Sequence, residues 1–265
     1  MERLQAAAAA NFTETVRMWG AAPTSRMKLY PGCVLVSTGV AIADQNYAIP
    51  LERGSAGECM ALSTAFFRGL GMPFTLWSPP GGRGEGLSAE IEAAGMPRRC
   101  SPPAMARPLA GTGGQSIASL PRDLDLVRAS SPEEAREWGN ASLEGFGSGP
   151  EHSESFGALA SSLVAGRLSS SFRLLTLRLG GRAAATSMLS IAGETAGLYY
   201  FSVAPAFRRR GLGMLLLGAS LEEAARCGGR VAVLQASPMG RPLYLAAGFV
   251  ECGRYRVHSP DPDAC

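Results

Sequence analysis

Lysine is nearly missing from this chain: of 25 basic residues only Lys28 is a lysine, and the others are arginines. With its many alanines and glycines, this bias reads as coding composition rather than as a nucleic-acid surface. The formal net charge of +3 is too small to call for a polyanionic partner, so nucleic acid is not expected. Histidine occurs twice and the six cysteines are scattered without a C-x-x-C pair, which argues against a metal site and lends no support to a disulfide framework. No run of about 18 apolar residues is present, so no membrane span is expected. The opening Met1-Glu2-Arg3-Leu4-Gln5 and five alanines could pass for an export signal, but that apolar part is short and runs into Asn11, Thr13, Glu14 and Arg17. It reads as a helix. These absences together suit a reducing cytoplasm.

What is present is a globular composition, 46% hydrophobic and 18% charged, with 33 glycines and 18 prolines that imply many turns. A length of 265 residues allows one large domain or two of ordinary size. The stretch that organises the chain is Val203-Ala204-Pro205-Ala206-Phe207-Arg208-Arg209-Arg210-Gly211-Leu212-Gly213, followed by Met214 and three leucines. Strand formers precede it (Tyr199, Tyr200, Phe201, Ser202) and a helical pattern follows to about Cys227, with Gly228-Gly229 as its stop. Two glycines let successive N–H groups turn into one concavity, and the helix adds its unpaired first-turn donors and the positive end of its dipole. This is a phosphate cradle, with Arg208, Arg209 and Arg210 around it. An ordinary strand-to-helix turn with solvated arginines would carry the same residues. A Walker loop is excluded because no Gly-Lys-Ser/Thr follows, and the dinucleotide fingerprint lacks its third glycine.

Downstream, Val231-Ala232-Val233-Leu234-Gln235 reads as a buried strand, and Ser237-Pro238-Met239-Gly240-Arg241-Pro242-Leu243-Tyr244-Leu245-Ala246-Ala247-Gly248-Phe249 as a short helix closed by glycine. Arg208-x-x-Gly211-x-Gly213 and Ser237-x-x-Gly240-x-x-Leu243-Tyr244-x-x-x-Gly248-Phe249 occur in the order and separation found in the GNAT superfamily of acyl-CoA-dependent N-acyltransferases. The chain resembles that superfamily over residues 123–258, with Ser237 standing where the family usually has Asn and Gly240 where it has Ala.

The resemblance implies that acyl-CoA, acetyl-CoA in the simplest case, lies between two splayed strands. Phe201, Ser202 and Val203 would hold its arm and polarise the thioester, and Ser237 would add a shorter contact than the family's Asn. The turn Arg208, Arg209, Arg210, Gly211, Leu212, Gly213 and Met214 would hold its phosphates. The amine then attacks directly, and Tyr244 matches the family's proton donor to the departing thiolate. Residues 144–156 are implied as the acceptor-facing segment, with Glu144, Glu151 and His152 as substrate-binding candidates. Glu151, His152, Glu194 or a water relay could take the amine's proton.

In chain order the pattern predicts a helix over 1–20, short strands near 28–30, 34–38, 41–42 and 47–49, and a helix over 57–69. A strand over 74–77 and a helix over 87–94 follow, then a breaker-rich stretch over 102–114 that leads into a linker. Residues 123–128 alternate as a half-buried strand does, and Ser131-Pro132-Glu133-Glu134 starts a helix. A second helix begins near Ser153, then come an antiparallel meander over 172–203 and a last strand over 250–257. Residues 74–96 parallel 231–249, so residues 1–118 are read as a degenerate copy of residues 119–265, or else as an unrelated cap. The copy's turn, Leu51-Glu52-Arg53-Gly54-Ser55-Ala56-Gly57, lacks the cradle spacing. The expectation is therefore an α/β (α+β) fold with a mixed, mostly antiparallel sheet flanked by helices, in tandem. Its activity would be cytoplasmic N-acetyl transfer to a primary amine of a small molecule or peptide, by a monomer or homodimer. A longer-chain amino-acid N-acyltransferase and a non-catalytic acyl-CoA sensor are the alternatives.

Overall fold

The computed structural model describes residues 1–51, 55–109, 121 and 123–265, and these belong to two compact units. The first gathers Met1–Met105, Gln235–Met239 and Glu251–Cys265, and the second Ala106–Leu234 and Gly240–Val250. The expected boundary at 118/119, the linker residues 110–114 and residues 52–54 of the degenerate turn lie outside the described residues.

The first unit contains α1 (Glu2–Gly20), β1 (Arg26–Leu29), β2 (Cys33–Ser37), β3 (Asn46–Pro50), α2 (Ala56–Leu70), β4 (Thr75–Ser78), α3 (Gly82–Ala93) and β5 (Arg98–Cys100). With β13 (Arg256–His258) they form a six-stranded sheet in the order β1-β2-β3-β4-β13-β5. Every residue of β2 and β3 is buried, with α1 packed against β2 and α2 against both strands, so neither strand shows a polar side that alternates with an apolar one. Ser55 caps α2 by accepting the Glu58 N–H, and Gly71, at φ +64°, ends it. Residues 41–42, expected as a strand, instead lead into a 3₁₀ turn at Ala43–Gln45. Helix α3 begins five residues before its expected start, at glycines that read as loop.

The last strand of the sequence reading is two strands in two sheets. β12 (Val250–Arg254) joins the other sheet, β13 this one, and Tyr255 lies between. Tyr255 is 1% exposed, packed edge-on against Phe12 (5.5 Å between centroids) and Trp77 (5.7 Å). The chain turns before it at Gly253, whose φ of +139° and whose closeness to Gln5 and Pro80 exclude a larger residue. β13 runs beside β5, which brings the chain's end to Cys100. Cys100 and Cys265 form a disulfide with a Cα–Cα distance of 6.1 Å, contrary to the sequence expectation. Their separation of 165 residues gave no spacing to read.

The second sheet contains β6 (Pro103–Pro108), β7 (Leu124–Arg128), β8 (Phe172–Leu179), β9 (Arg182–Ala192), β10 (Thr195–Val203) and β11 (Val231–Gln235). With β12 its order is β12-β6-β11-β10-β9-β8-β7. Strands β7 to β10 are antiparallel neighbours, whereas β10 and β11 are parallel and joined by α6 (Leu212–Arg226). β6 corrects the linker expectation. Its prolines sit at the two ends, where a missing N–H is tolerated, and Ala104, Met105 and Ala106 between them are fully buried. Helices α4 (Pro132–Phe146), α5 (Ser153–Leu163) and α7 (Arg241–Ala246) complete the unit. α4 starts with a reciprocal cap: Ser131 accepts the Glu134 N–H and the Glu134 carboxylate accepts the Ser130 and Ser131 N–H groups, an arrangement worth about 1 kcal/mol.

Candidate active site

β10 breaks its own ladder. It pairs with β9 from Thr195↔Ala192 to Tyr199↔Met188 and resumes at Ser202↔Thr186, so one extra residue is accommodated between Tyr199 and Ser202. This is a β-bulge, and Tyr200 within it has φ +49°, a conformation that costs an L-residue roughly 1–2 kcal/mol. On the other side, β10 pairs with β11 only from Thr195↔Val231 to Gly197↔Val233. The two strands therefore part toward Val203, and the upper half of β10 has backbone groups that β11 does not take up. A strained strand end beside a parting parallel neighbour is a place where an extended ligand arm can add hydrogen bonds.

At that end the chain enters the glycine turn. A 3₁₀ turn spans Pro205–Phe207, Arg208 is extended, Arg209 takes φ +63° and Gly211 φ +77°, and α6 begins at Leu212. Met214 and Leu215 both donate their N–H to the Gly211 carbonyl (3.1 and 3.3 Å), which leaves the N–H groups of Leu212 and Gly213 outside the helix ladder. Left-handed residues among right-handed ones fold the turn into a backbone concavity, and the helix dipole makes its floor positive. A Cβ at Gly211 would meet nothing within 4 Å and one at Gly213 only Leu243 and Val203 at 3.6 and 3.7 Å. Internal packing thus does not require glycine at 213.

The three arginines divide their work. Arg208 donates Nε to the Val203 carbonyl and Nη2 to the Gly145 carbonyl, both at 3.0 Å, so it ties the end of α4 to the end of β10. Arg210 lies over the Phe207 ring at 5.8 Å and Arg182 over the same ring at 5.3 Å. Arg209 is exposed. Gly145 fits because a Cβ there would come within 2.6 Å of the Ser202 side chain. Ser202 itself is buried, its Oγ 2.9 Å from Thr186 Oγ1, so only its backbone is left for a ligand.

Tyr244 sits in α7, 5% exposed, with its ring edge-on to Phe201 (5.8 Å) and to Phe249 (5.7 Å). Burial pushes its phenol above the ordinary value, so it holds its proton throughout the working pH range. Ser237 is an exposed turn residue after β11 and Met214 an exposed residue of the first turn of α6.

The acceptor candidates are scattered. His152 and Glu151 share a 3₁₀ turn between α4 and α5 and face each other at 3.5 Å. Glu144 lines an open groove of about 530 Å³ on α4, with Glu133, Arg136, Glu137, Asn140, Ala141 and Ala183. Glu194 is removed from consideration as a base: it precedes Thr195 at the end of β10 opposite the bulge and is paired with Arg230 at 2.9 Å.

The sequence reading missed an aromatic wall. The bulge sends Phe201 toward Tyr244 and Tyr200 toward α4 and α5, where its ring meets Trp138 (5.6 Å), Phe156 (5.4 Å) and Phe146 (6.4 Å). Three consecutive aromatics in one strand, Tyr199-Tyr200-Phe201, were the signal, since successive strand residues alternate faces.

Residues 110–235 match the family model of the acetyltransferase (GNAT) domain. No curated protein matches the sequence. The fold is similar to that of a GCN5-related N-acetyltransferase from Kribbella flavida (TM-score 0.66, 16% identity, 96% of each chain covered). It is also similar to a GCN5-related N-acetyltransferase from Sphaerobacter thermophilus (TM-score 0.63, 15% identity, 96% of this chain and 89% of that one). A tandem GNAT protein from the clavulanic acid biosynthesis pathway matches with TM-score 0.60 and 16% identity over 99% of this chain and 94% of that one. At such identities the likeness is one of fold.

Proposed function

We propose, from the match of residues 110–235 to the family model of the acetyltransferase (GNAT) domain, that the protein moves an acetyl group from acetyl-CoA to a primary amine, as a cytoplasmic enzyme. The observation that carries this reading is the continuity of three features along one edge: the bulge at Tyr199–Ser202, the parting of β10 from β11, and the glycine concavity at the start of α6. The residues fit the co-substrate. Backbone groups of Phe201, Ser202 and Val203 are positioned for an extended arm, and the N–H groups of Leu212 and Gly213 for an anion. Arg209 and Arg210 add charge beside it, and Arg208 fixes the strand end. Gly213 keeps its side open although packing would admit a Cβ.

Acetyl-CoA supplies an activated acyl group and a thiolate leaving group. Around it, the bulge N–H groups polarise the carbonyl as it gains charge. Tyr244, neutral and shielded from water by Phe201 and Phe249, gives a proton to the sulfur. The acceptor amine needs no nucleophilic cysteine between it and the carbonyl. Glu151 and His152 stay as candidates for the amine's proton and Glu144 for substrate binding, while Ser237 stays as a cofactor contact.

The same reading takes residues 1–118 as a degenerate copy of the fold. In both sheets, two parallel neighbours are linked by one helix, β3 and β4 by α2, β10 and β11 by α6. The test of function is thiol release from acetyl-, butyryl- and octanoyl-CoA over a panel of primary amines. Amine-dependent release greatest with acetyl-CoA is expected. Greatest release with octanoyl-CoA would make this a longer-chain acyltransferase, and tight CoA binding without release would make it a sensor.

A further inference from the structure

We propose that Tyr200 and Phe146 select the acceptor, and that the amine it carries is mounted on an apolar body, aryl or alkyl, rather than on a sugar or a polycation. This rests on the acyl-transfer reading above and names its substrate class.

Four observations converge. First, Tyr200 is the residue at which β10 adopts φ +49°, within the bulge where the thioester carbonyl would be held. The backbone distortion at the bulge also turns this ring to the α4 and α5 side. Second, the ring is held on that side by Trp138 and Phe156, both almost fully buried, and Trp138 is fixed by its Nε1 hydrogen bond to the Ser187 carbonyl at 3.1 Å. The wall is rigid. Third, Phe146 stands edge-on to Tyr200 and is 58% exposed, whereas the other large exposed apolar side chains among the described residues are aliphatic or methionine. An apolar ligand covering this half-bare phenyl ring would remove apolar surface from water, which is favourable. Fourth, Phe146 is the last residue of α4. The carbonyl of its neighbour Gly145 is held by Arg208, which also holds the Val203 carbonyl. The aromatic wall is thereby anchored to the strand end where the acyl group would sit.

Rings meeting at 87° leave an apolar face and an edge for a flat or alkyl group, with no donor or acceptor from Phe146 to repay the dehydration of a sugar's hydroxyls.

The experiment uses the full chain and acetyl-CoA, with 2-phenylethylamine, hexylamine, glucosamine and spermidine as acceptors, in wild type and in Phe146→Ala. Because Phe146 is exposed, the variant should fold, which its melting temperature checks. For wild type, kcat/KM for the two apolar amines should exceed that for glucosamine and spermidine by at least 10-fold. Phe146→Ala should raise KM for 2-phenylethylamine at least 5-fold while KM for acetyl-CoA moves less than 2-fold, and Phe146→Tyr should restore the preference. Glucosamine or spermidine equal to the apolar amines, or a KM for 2-phenylethylamine unmoved in the alanine variant, overturns the proposal. Calorimetric binding of 2-phenylethylamine and glucosamine to the CoA-loaded chain separates the two levels of the argument. Selective binding of the apolar amine without turnover would leave the aromatic wall standing and remove the catalytic reading. Equal binding, or none, removes the wall.

Discussion

At the scale of single residues, the site depends on conformations as much as on chemistry. Tyr200 and Arg209 are non-glycine residues at positive φ on either side of the strand end, and strain of this kind persists where the surroundings over-determine it. In the proposed mechanism Tyr244 gives the proton to the departing thiolate. Its burial keeps the phenol protonated, so it can act as an acid and not as a base. Tyr244→Phe preserves the ring contacts with Phe201 and Phe249 and removes one proton. We expect kcat to fall by about 10²–10⁴-fold, the usual contribution of a positioned general acid, with CoA affinity unchanged by calorimetry. Turnover within twofold of wild type would assign the tyrosine to packing alone. The motif around Tyr244 was legible in the sequence, but the role of Arg208 was not, because nothing in Arg-Arg-Arg says which guanidinium faces backbone and which faces solvent.

At the scale of elements, periodicity and caps located most helices and strands, and the failures share a cause. β6 was read as linker from its prolines, and 250–257 as one strand from its composition. In both cases the deciding partner is a strand far away in sequence, which no local pattern records. β13 carries one consequence that can be measured. His258 is fully buried on it, with Nε2 3.0 Å from Ser88 Oγ and 3.6 Å from the Glu92 carboxylate of α3. Burial holds its imidazole below the ordinary range, outweighing the hydrogen bond and charge of Glu92, and Arg98 lowers it further. A base whose folded-state pKa is depressed binds fewer protons folded than unfolded. Its contribution is therefore complete above the unfolded value of about 6.5 and is lost as pH falls below it. Between pH 7.5 and 5.5 the melting temperature should drop in wild type and drop less in His258→Gln. An equal drop in both would mean that other groups set the acid sensitivity.

At the scale of the whole molecule, the sequence indicated a tandem α/β chain, and the two mostly antiparallel sheets flanked by helices agree with that fold class. What it could not indicate is which sheet each late strand joins, nor that Cys265 reaches Cys100. Only residues 203–214 carry the cradle spacing, so calorimetric titration of the full chain should give one CoA per chain. Two equivalent sites would show that residues 1–118 retain a cradle of their own.

The claim on which everything else rests is that the glycine turn holds phosphate, and Gly213→Asp tests it most directly. The position has an ordinary helical backbone and room for a Cβ, with Leu243 and Val203 no nearer than 3.6 Å, so the variant should fold with a melting temperature close to that of wild type. A carboxylate in the cradle would oppose the ligand's phosphates by charge and by volume. CoA affinity measured by calorimetry should weaken at least 10-fold, equivalent to about 1.4 kcal/mol. A folded Gly213→Asp variant that binds CoA as tightly as wild type would contradict the account.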